Sequence, residues 1–328
     1  MPASVLVRPD EAPAASGAGA SAETQLKATG LFPSALLWFF LVGPVVALGL
    51  GVALASTTAY GPTWLDLGIG VVFYAISGFG ITVGFHRYFT HRSFKAKRPL
   101  RIALAIAGSM GVEGSVTAWV ADHRRHHAHS DQEGDPHSPW RFGGSGLGLL
   151  KGIWWAHVGW LFADVESSRT RFAPDLEADK DIQFINRIFP VWVLLSLLGP
   201  ALIGGLVTLS WTGAFTAFLW AGLVRMLLLH HVTWTVNSLC HVIGKRPFAS
   251  RDKSGNVWLL AIISLGDSFH NLHHAEPTSA RHGVDRRQFD LSAELIRGFE
   301  KVGWAYDVRW ASPERLDQRR TGQEASRR

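Results

Sequence analysis

Four long apolar runs dominate the chain. They occupy about residues 31–56, 64–85, 188–210 and 212–236, and each reaches the roughly 20 mostly apolar residues that a membrane-spanning helix takes. Pro44 and Pro200 fall inside two of them. A proline kinks such a helix without ending it, because neighbouring groups satisfy the freed carbonyl. An uncharged link, TTAYGPT, joins the first two runs, and a short turn around Trp211, Thr212 and Gly213 joins the last two. The pattern therefore predicts two helical hairpins. Two weaker apolar stretches, 100–120 and 147–163, are broken by Glu113 and glycines or shortened and rich in tryptophan (Trp154, Trp155, Trp160). Both are predicted to lie in the interface plane.

The polar segments complete the outline. Residues 1–28 are rich in Ala, Ser, Gly and Pro without periodicity, and residues 313–328 are polar and charged. Both read as disordered tails around one domain at 29–312. A signal peptide is not expected, because the first apolar run is long enough to span and no cleavage pattern follows it. The chain carries a net charge of +6, and the cations gather between the hairpins (Arg87, Arg92, Lys95, Lys97, Arg98, Arg101, Arg124, Arg125) and after the fourth run (Lys245, Arg246, Arg251, Lys253). Cytoplasmic loops collect Lys and Arg. Both termini and the long middle segment are thus expected to face the cytosol, and the basic balance needs no nucleic-acid partner. The fold class that follows is an all-α membrane protein with four spans in two hairpins and a cytosolic helical cap.

Chemistry enters with the histidines. His86 and His91 stand five apart directly after the second run; His123, His126 and His127 form one HxxHH, and His270, His273 and His274 form another. In HxxHH the three rings share one helix face and converge. Five residues at about 100° each leave His86 and His91 about 140° apart on an α-helix, so either the helix ends between them or the two rings serve different metals. All three boxes fall on the side assigned to the cytosol by charge. Cys240 is the one cysteine, which excludes a thiolate cluster and a disulfide framework. Imidazole is the commonest transition-metal ligand, and eight rings exceed what one ion takes. Two ions fit the count. A nitrogen-rich set with open positions suits iron and dioxygen, and zinc, manganese or copper fit the spacing as well.

At these residues the chain resembles the integral-membrane fatty acid desaturases, in particular the acyl-CoA delta-9 group. The matching stretches are GFHRYFTHRSFK, WVADHRRHHAHSDQEGDPHSP, HVGWLF, TWTVNSLCHVIGKRPF and FHNLHHAEP. The resemblance implies a di-iron centre in a cytosolic cap, ligated by the box histidines and by His241 of the NSxxH motif, with Asn237 approaching one metal through water. It implies that Trp119 and Trp234 line an acyl tunnel. It also implies a fatty acyl substrate linked to CoA or lipid, dioxygen as oxidant, and electrons from a separate ferredoxin or flavin reductase, since no haem domain is fused to the chain. Asp122 and Asp267 are expected to orient ligands from behind. Asp267 stands where the family usually has Glu, and Ala121 where animal enzymes carry an arginine that touches CoA. His129, His137 and His157 read as secondary or surface residues and His282 as a surface residue, and Arg225 in the fourth run is expected to pair with a carboxylate. Two other readings stay open: a related di-iron hydroxylase or monooxygenase, and a metal transporter, which would place its ligands inside the spans.

Overall fold

The computed structural model describes residues 22–28, 30–57 and 60–321. Four helices in it are long and apolar enough to cross a membrane: Leu31–Ser56, Trp64–Thr90, Phe189–Thr208 and Trp211–His241. Their outer faces leave large apolar side chains such as Val46, Leu202 and Leu206 uncovered, as a lipid-facing surface does. The hairpin turns meet at one end. There Tyr60 packs edge-on against Phe215, and Asp66, which caps the second span with Thr63, accepts from the Thr216 hydroxyl. The histidine boxes stand at the opposite ends of the second and fourth spans.

The second span does not finish as an α-helix. From Gly80 to Thr90 it widens into a π-helix, and the His91 N–H donates to the His86 carbonyl at 3.1 Å. This i→i+5 winding stacks residues five apart. The two rings come to 5.0 Å between centroids, so neither alternative drawn from α-helical spacing applies. Gly80 permits the packing behind this segment, because a Cβ there would sit 2.1 Å from the Ala107 and Gly108 backbone.

The stretch expected as one interfacial helix at 100–120 is two helices. Arg98–Ser109 packs against the second span, and Val116–His129 carries the second box. A turn with positive φ at Val112 (61°) and Gly114 (109°) separates them. The helix Gly146–His157 occupies much of the second weak stretch.

Both expected tails are partly ordered. Thr24–Leu26 pairs antiparallel with Val165–Ser167, which takes up residues assigned to the first tail; residues 1–21 lie outside the described residues. Pro313–Arg319 is a helix. Arg315 and Arg319 both pair with Glu276, at 2.6 and 3.0 Å, so the polarity read as disorder is spent on an ion-pair clasp beside the third box. Residues 322–328 lie outside the described residues.

Among the described residues Arg225 has no carboxylate partner. It donates to the Ala221 and Ser196 carbonyls at 3.1 and 3.0 Å and to the Ser196 and Ser77 hydroxyls. Backbone and hydroxyl dipoles solvate the guanidinium where a carboxylate was expected.

Candidate metal centre

Four chain segments far apart in sequence deliver nine imidazoles to one volume. The π-wound end of the second span brings His86 and the residue after it, His91. The helix Val116–His129 brings His123, His126 and His127 from one face, and the short helix His270–Ala275 brings His270, His273 and His274. His241 ends the 3-10 turn that closes the fourth span. The nitrogens separate into two groups, each with its ligand atoms within 4.8 Å of one another: His86, His91, His123, His127 and His273 form one, and His126, His241, His270 and His274 the other.

The donor chemistry of these groups fits a cation. Nδ1 of His86 faces Asp267 at 2.8 Å, His126 faces Asp135 at 3.0 Å, His241 faces Asp131 at 3.1 Å and His274 faces Asp252 at 2.5 Å. A carboxylate at Nδ1 holds the proton there and leaves Nε2 with a lone pair. His270 Nδ1 likewise faces the Asp267 carbonyl at 3.3 Å, so in the group of four the freed Nε2 atoms face one another, His270 to His241 at 3.0 Å and His274 to His270 at 3.0 Å; in the group of five, Nε2 of His273 stands 3.0 Å from that of His86 and 2.9 Å from that of His127. Converging lone pairs repel unless a positive charge sits between them. Metal–nitrogen bonds of about 2.1 Å at right angles place ligand atoms about 3.0 Å apart, which is the spacing found. Burial, reinforced by neighbouring imidazoles, holds His91, His123, His127, His270, His273 and His274 well below the usual imidazole value, so each offers a neutral ring. In His91 the Nε2 is buried without a hydrogen bond.

The second layer was only partly foreseen. Asp267 lies against His86 Nδ1 and also binds Arg87 at 2.9 Å. Asp122 does not touch an imidazole. It accepts from the Ser167 N–H at 3.3 Å, and burial raises it to about 6. Its place one residue before the box points it away from the converging face. Asp131, Asp135 and Asp252 do the orienting instead. The first two lie in the HSDQEGDPH continuation of the second box, where the alternating carboxylates Asp131, Glu133 and Asp135 were a readable signal. His282, expected on the surface, is wholly buried, with its ring 4.5 Å from that of His273. His137 is buried and stacked on His126. His157 bonds Ser238 and His231, while His129 pairs with Glu23.

A cavity of about 230 Å³ reaches the centre from the side of the first span. Leu37, Phe40, Trp119 and Trp234 form apolar wall, and Asn237 and His123 stand at its inner end. A narrower space continues beneath His86, His123 and His270, sharing Trp119 and Asn237. Trp119 stacks on His123 with centroids 4.9 Å apart. A polar vestibule shares Glu113, Trp119 and Asp122 with the first cavity and opens beside Lys27, Arg125 and Arg141.

Comparison with known proteins agrees with this geometry. The fatty acid desaturase family model matches residues 62–310. The chain belongs to the fatty acid desaturase family. This desaturase is 42% identical over 274 residues to a hex-5-enoyl-[acyl-carrier protein] acetylenase of Moorena producens, covering 83% of this chain and 85% of that one. It is 34% identical over 268 residues to an sn-1 stearoyl-lipid 9-desaturase of Anabaena variabilis, covering 80% and 92%. A probable acyl-CoA desaturase of Schizosaccharomyces pombe matches at 35% over 241 residues, covering 73% of this chain and 48% of the relative. As a family member the desaturase is an oxidoreductase with four candidate membrane spans.

Proposed function

We propose that the chain desaturates a long fatty acyl substrate with dioxygen at a di-iron centre, the acyl group being carried on CoA and oxidised at the delta-9 position. One observation carries the reading: the apolar cavity between the first and fourth spans ends directly under two groups of converging imidazoles. An unactivated methylene has no acidic proton and no leaving group, so side-chain acid–base chemistry cannot open it. A redox-active metal pair supplies the needed oxidising power when bound.

The chain's own residues hold, orient and exclude. The nine box and NSxxH histidines are the proposed ligands, five for one iron and four for the other, with Asn237 reaching one of the two through water. Asp267, Asp135, Asp131 and Asp252 fix the tautomers of four of them. Trp119 and Trp234 form the wall that sets which carbons lie under the imidazoles. The boxes and both termini face the cytosol of a multi-pass cell-membrane protein, where an external ferredoxin or flavin reductase delivers two electrons. A metal-transport role finds no support in the placement of the imidazole groups, which gather at one end of the second and fourth spans and in the segments beyond them rather than along a path through the spans.

The test is expression in a host that lacks unsaturated fatty acids, with double bonds located by mass spectrometry and His273→Ala as control. New olefinic chains, lost in the control, are expected. An added oxygen instead of a double bond would assign the chain to the hydroxylases. A second product has a specific observation behind it: the acetylenase relative favours a triple bond made from an existing olefin, and the same spectra distinguish it. Feeding the acyl chain as CoA thioester, lipid ester and carrier-protein thioester to membranes separates the three carriers.

A further inference from the structure

A carboxyl group stands in the wall of the acyl cavity with one oxygen unused. Glu113 lies in the turn before the second-box helix, between the left-handed residues Val112 and Gly114. The turn directs its side chain inward, where it lines both the acyl cavity and the vestibule. Its Oε2 accepts from Trp119 Nε1 at 3.2 Å. Its Oε1 is closed to solvent and makes no hydrogen bond among the described residues. The nearby Thr233 hydroxyl already donates to the Leu229 carbonyl at 3.1 Å.

Ionised, this group would be a buried charge held by the Trp119 indole and the neighbouring Thr233 hydroxyl, with no cation paired to it. Burial raises the Glu113 carboxyl to about 7, with the Thr233 and Trp119 contacts opposing only part of that rise. Other titratable groups share its surroundings. Asp122 and His123 of the second-box helix, His137 of the following loop and His230 of the fourth span line the same cavity, and Tyr74 of the second span is within electrostatic reach. Lys27, Arg125 and Arg141 line the vestibule with Asp135 and Glu166. There Lys27 is bonded to the Leu161 carbonyl and Arg141 lies over Trp155. No ion pair with any of them offsets the burial of Glu113.

We propose that Glu113 couples acyl binding to proton uptake: a chain lying against Trp119 displaces water from this wall and is accepted only with the Glu113 carboxyl neutral. The inference rests on the acyl-substrate reading above. Above neutral pH the empty cavity holds an ionised Glu113, and one proton passes from solvent to the carboxylate as the chain enters. Linkage then raises the apparent KM for the acyl substrate about tenfold per pH unit above neutrality. The bound state is already protonated, so kcat does not follow the same curve.

Calorimetric titration of the purified full chain with stearoyl-CoA, about one pH unit above the Glu113 value in two buffers of different ionisation enthalpy, counts the proton directly. Uptake of close to one proton is expected, together with a new protonated-carboxyl band in the infrared difference spectrum; both vanish in Glu113→Gln, whose KM becomes flat with pH. Should that variant not fold, the infrared band in the unaltered protein decides alone. Binding without proton uptake, without the band, or with unchanged uptake in Glu113→Gln overturns the proposal and leaves the acyl reading standing. Failure to bind either stearoyl-CoA or a stearoyl lysophospholipid overturns both.

Discussion

Asp252→Asn exchanges one carboxylate oxygen for an NH2 group and is expected to remove one imidazole from the four-histidine group. In the native protein Asp252 Oδ1 accepts from the Ser254 N–H at 3.1 Å and the Ser254 hydroxyl at 2.6 Å, while Oδ2 faces His274 Nδ1 at 2.5 Å. An asparagine keeps its amide oxygen with the two Ser254 donors. Its NH2 group then faces His274, whose Nδ1 must become the acceptor. The imidazole proton moves to Nε2, where it points at His270 Nε2, 3.0 Å away, and no lone pair is left for a cation. Altering a group that orients a ligand costs about 10–100-fold in metal affinity, or about 1.4–2.7 kcal/mol. The assay is iron per chain by plasma mass spectrometry after dialysis against graded chelator, beside His274→Ala. If Asp252→Asn holds its second ion as tightly as the native protein while His274→Ala releases it, the tautomer argument is refuted.

Three further outcomes are expected. His241→Ala takes one ring from the group of four and none from the group of five, so metal content should fall toward one ion per chain, read by the same spectrometry. Gly80→Ala drives a methyl into the Ala107 and Gly108 backbone at 2.1 Å; overpacking of this kind costs about 1–3 kcal/mol, to be seen as a lower unfolding temperature in detergent together with looser iron. Asp175 is partly buried, which pushes its carboxyl up, but bonds from Arg124 and Arg92 outweigh this and bring it to about 2. Its folded value is depressed, so its stabilisation is present above the unfolded value of about 3.9 and is lost as pH falls toward the folded one; thermal unfolding between about pH 5 and pH 2 should show this slope flattened in Asp175→Asn.

The spans, the hairpins and the eight box imidazoles were legible because each rests on a local pattern, whereas His241 entered only through the resemblance of its NSxxH motif. Twenty apolar residues or an HxxHH carry their meaning without knowledge of what packs nearby. The π winding was not legible, since it depends on how Gly80 and Gly84 let the segment press on the helix Arg98–Ser109. An α-helical ruler applied to His86 and His91 therefore gave the wrong separation. His282 and Asp252 were missed for a related reason. Each sits in a polar loop whose composition suggests a surface, and only tertiary packing buries it. Arg225 lies within the fourth candidate span as read but was given the wrong partner, because sequence does not show how many carbonyls and hydroxyls will converge on one guanidinium.

The wide-wound end of the second span makes the protein unusually sensitive to length. Loss of a single codon between Gly80 and Thr90, with the reading frame intact, would let this stretch relax to ordinary α winding and turn everything beyond the lesion by about 100° relative to everything before it. The shortened span would still insert, and the polypeptide would still accumulate in membranes. Such an allele would look healthy on an immunoblot and yet leave the cell without the product.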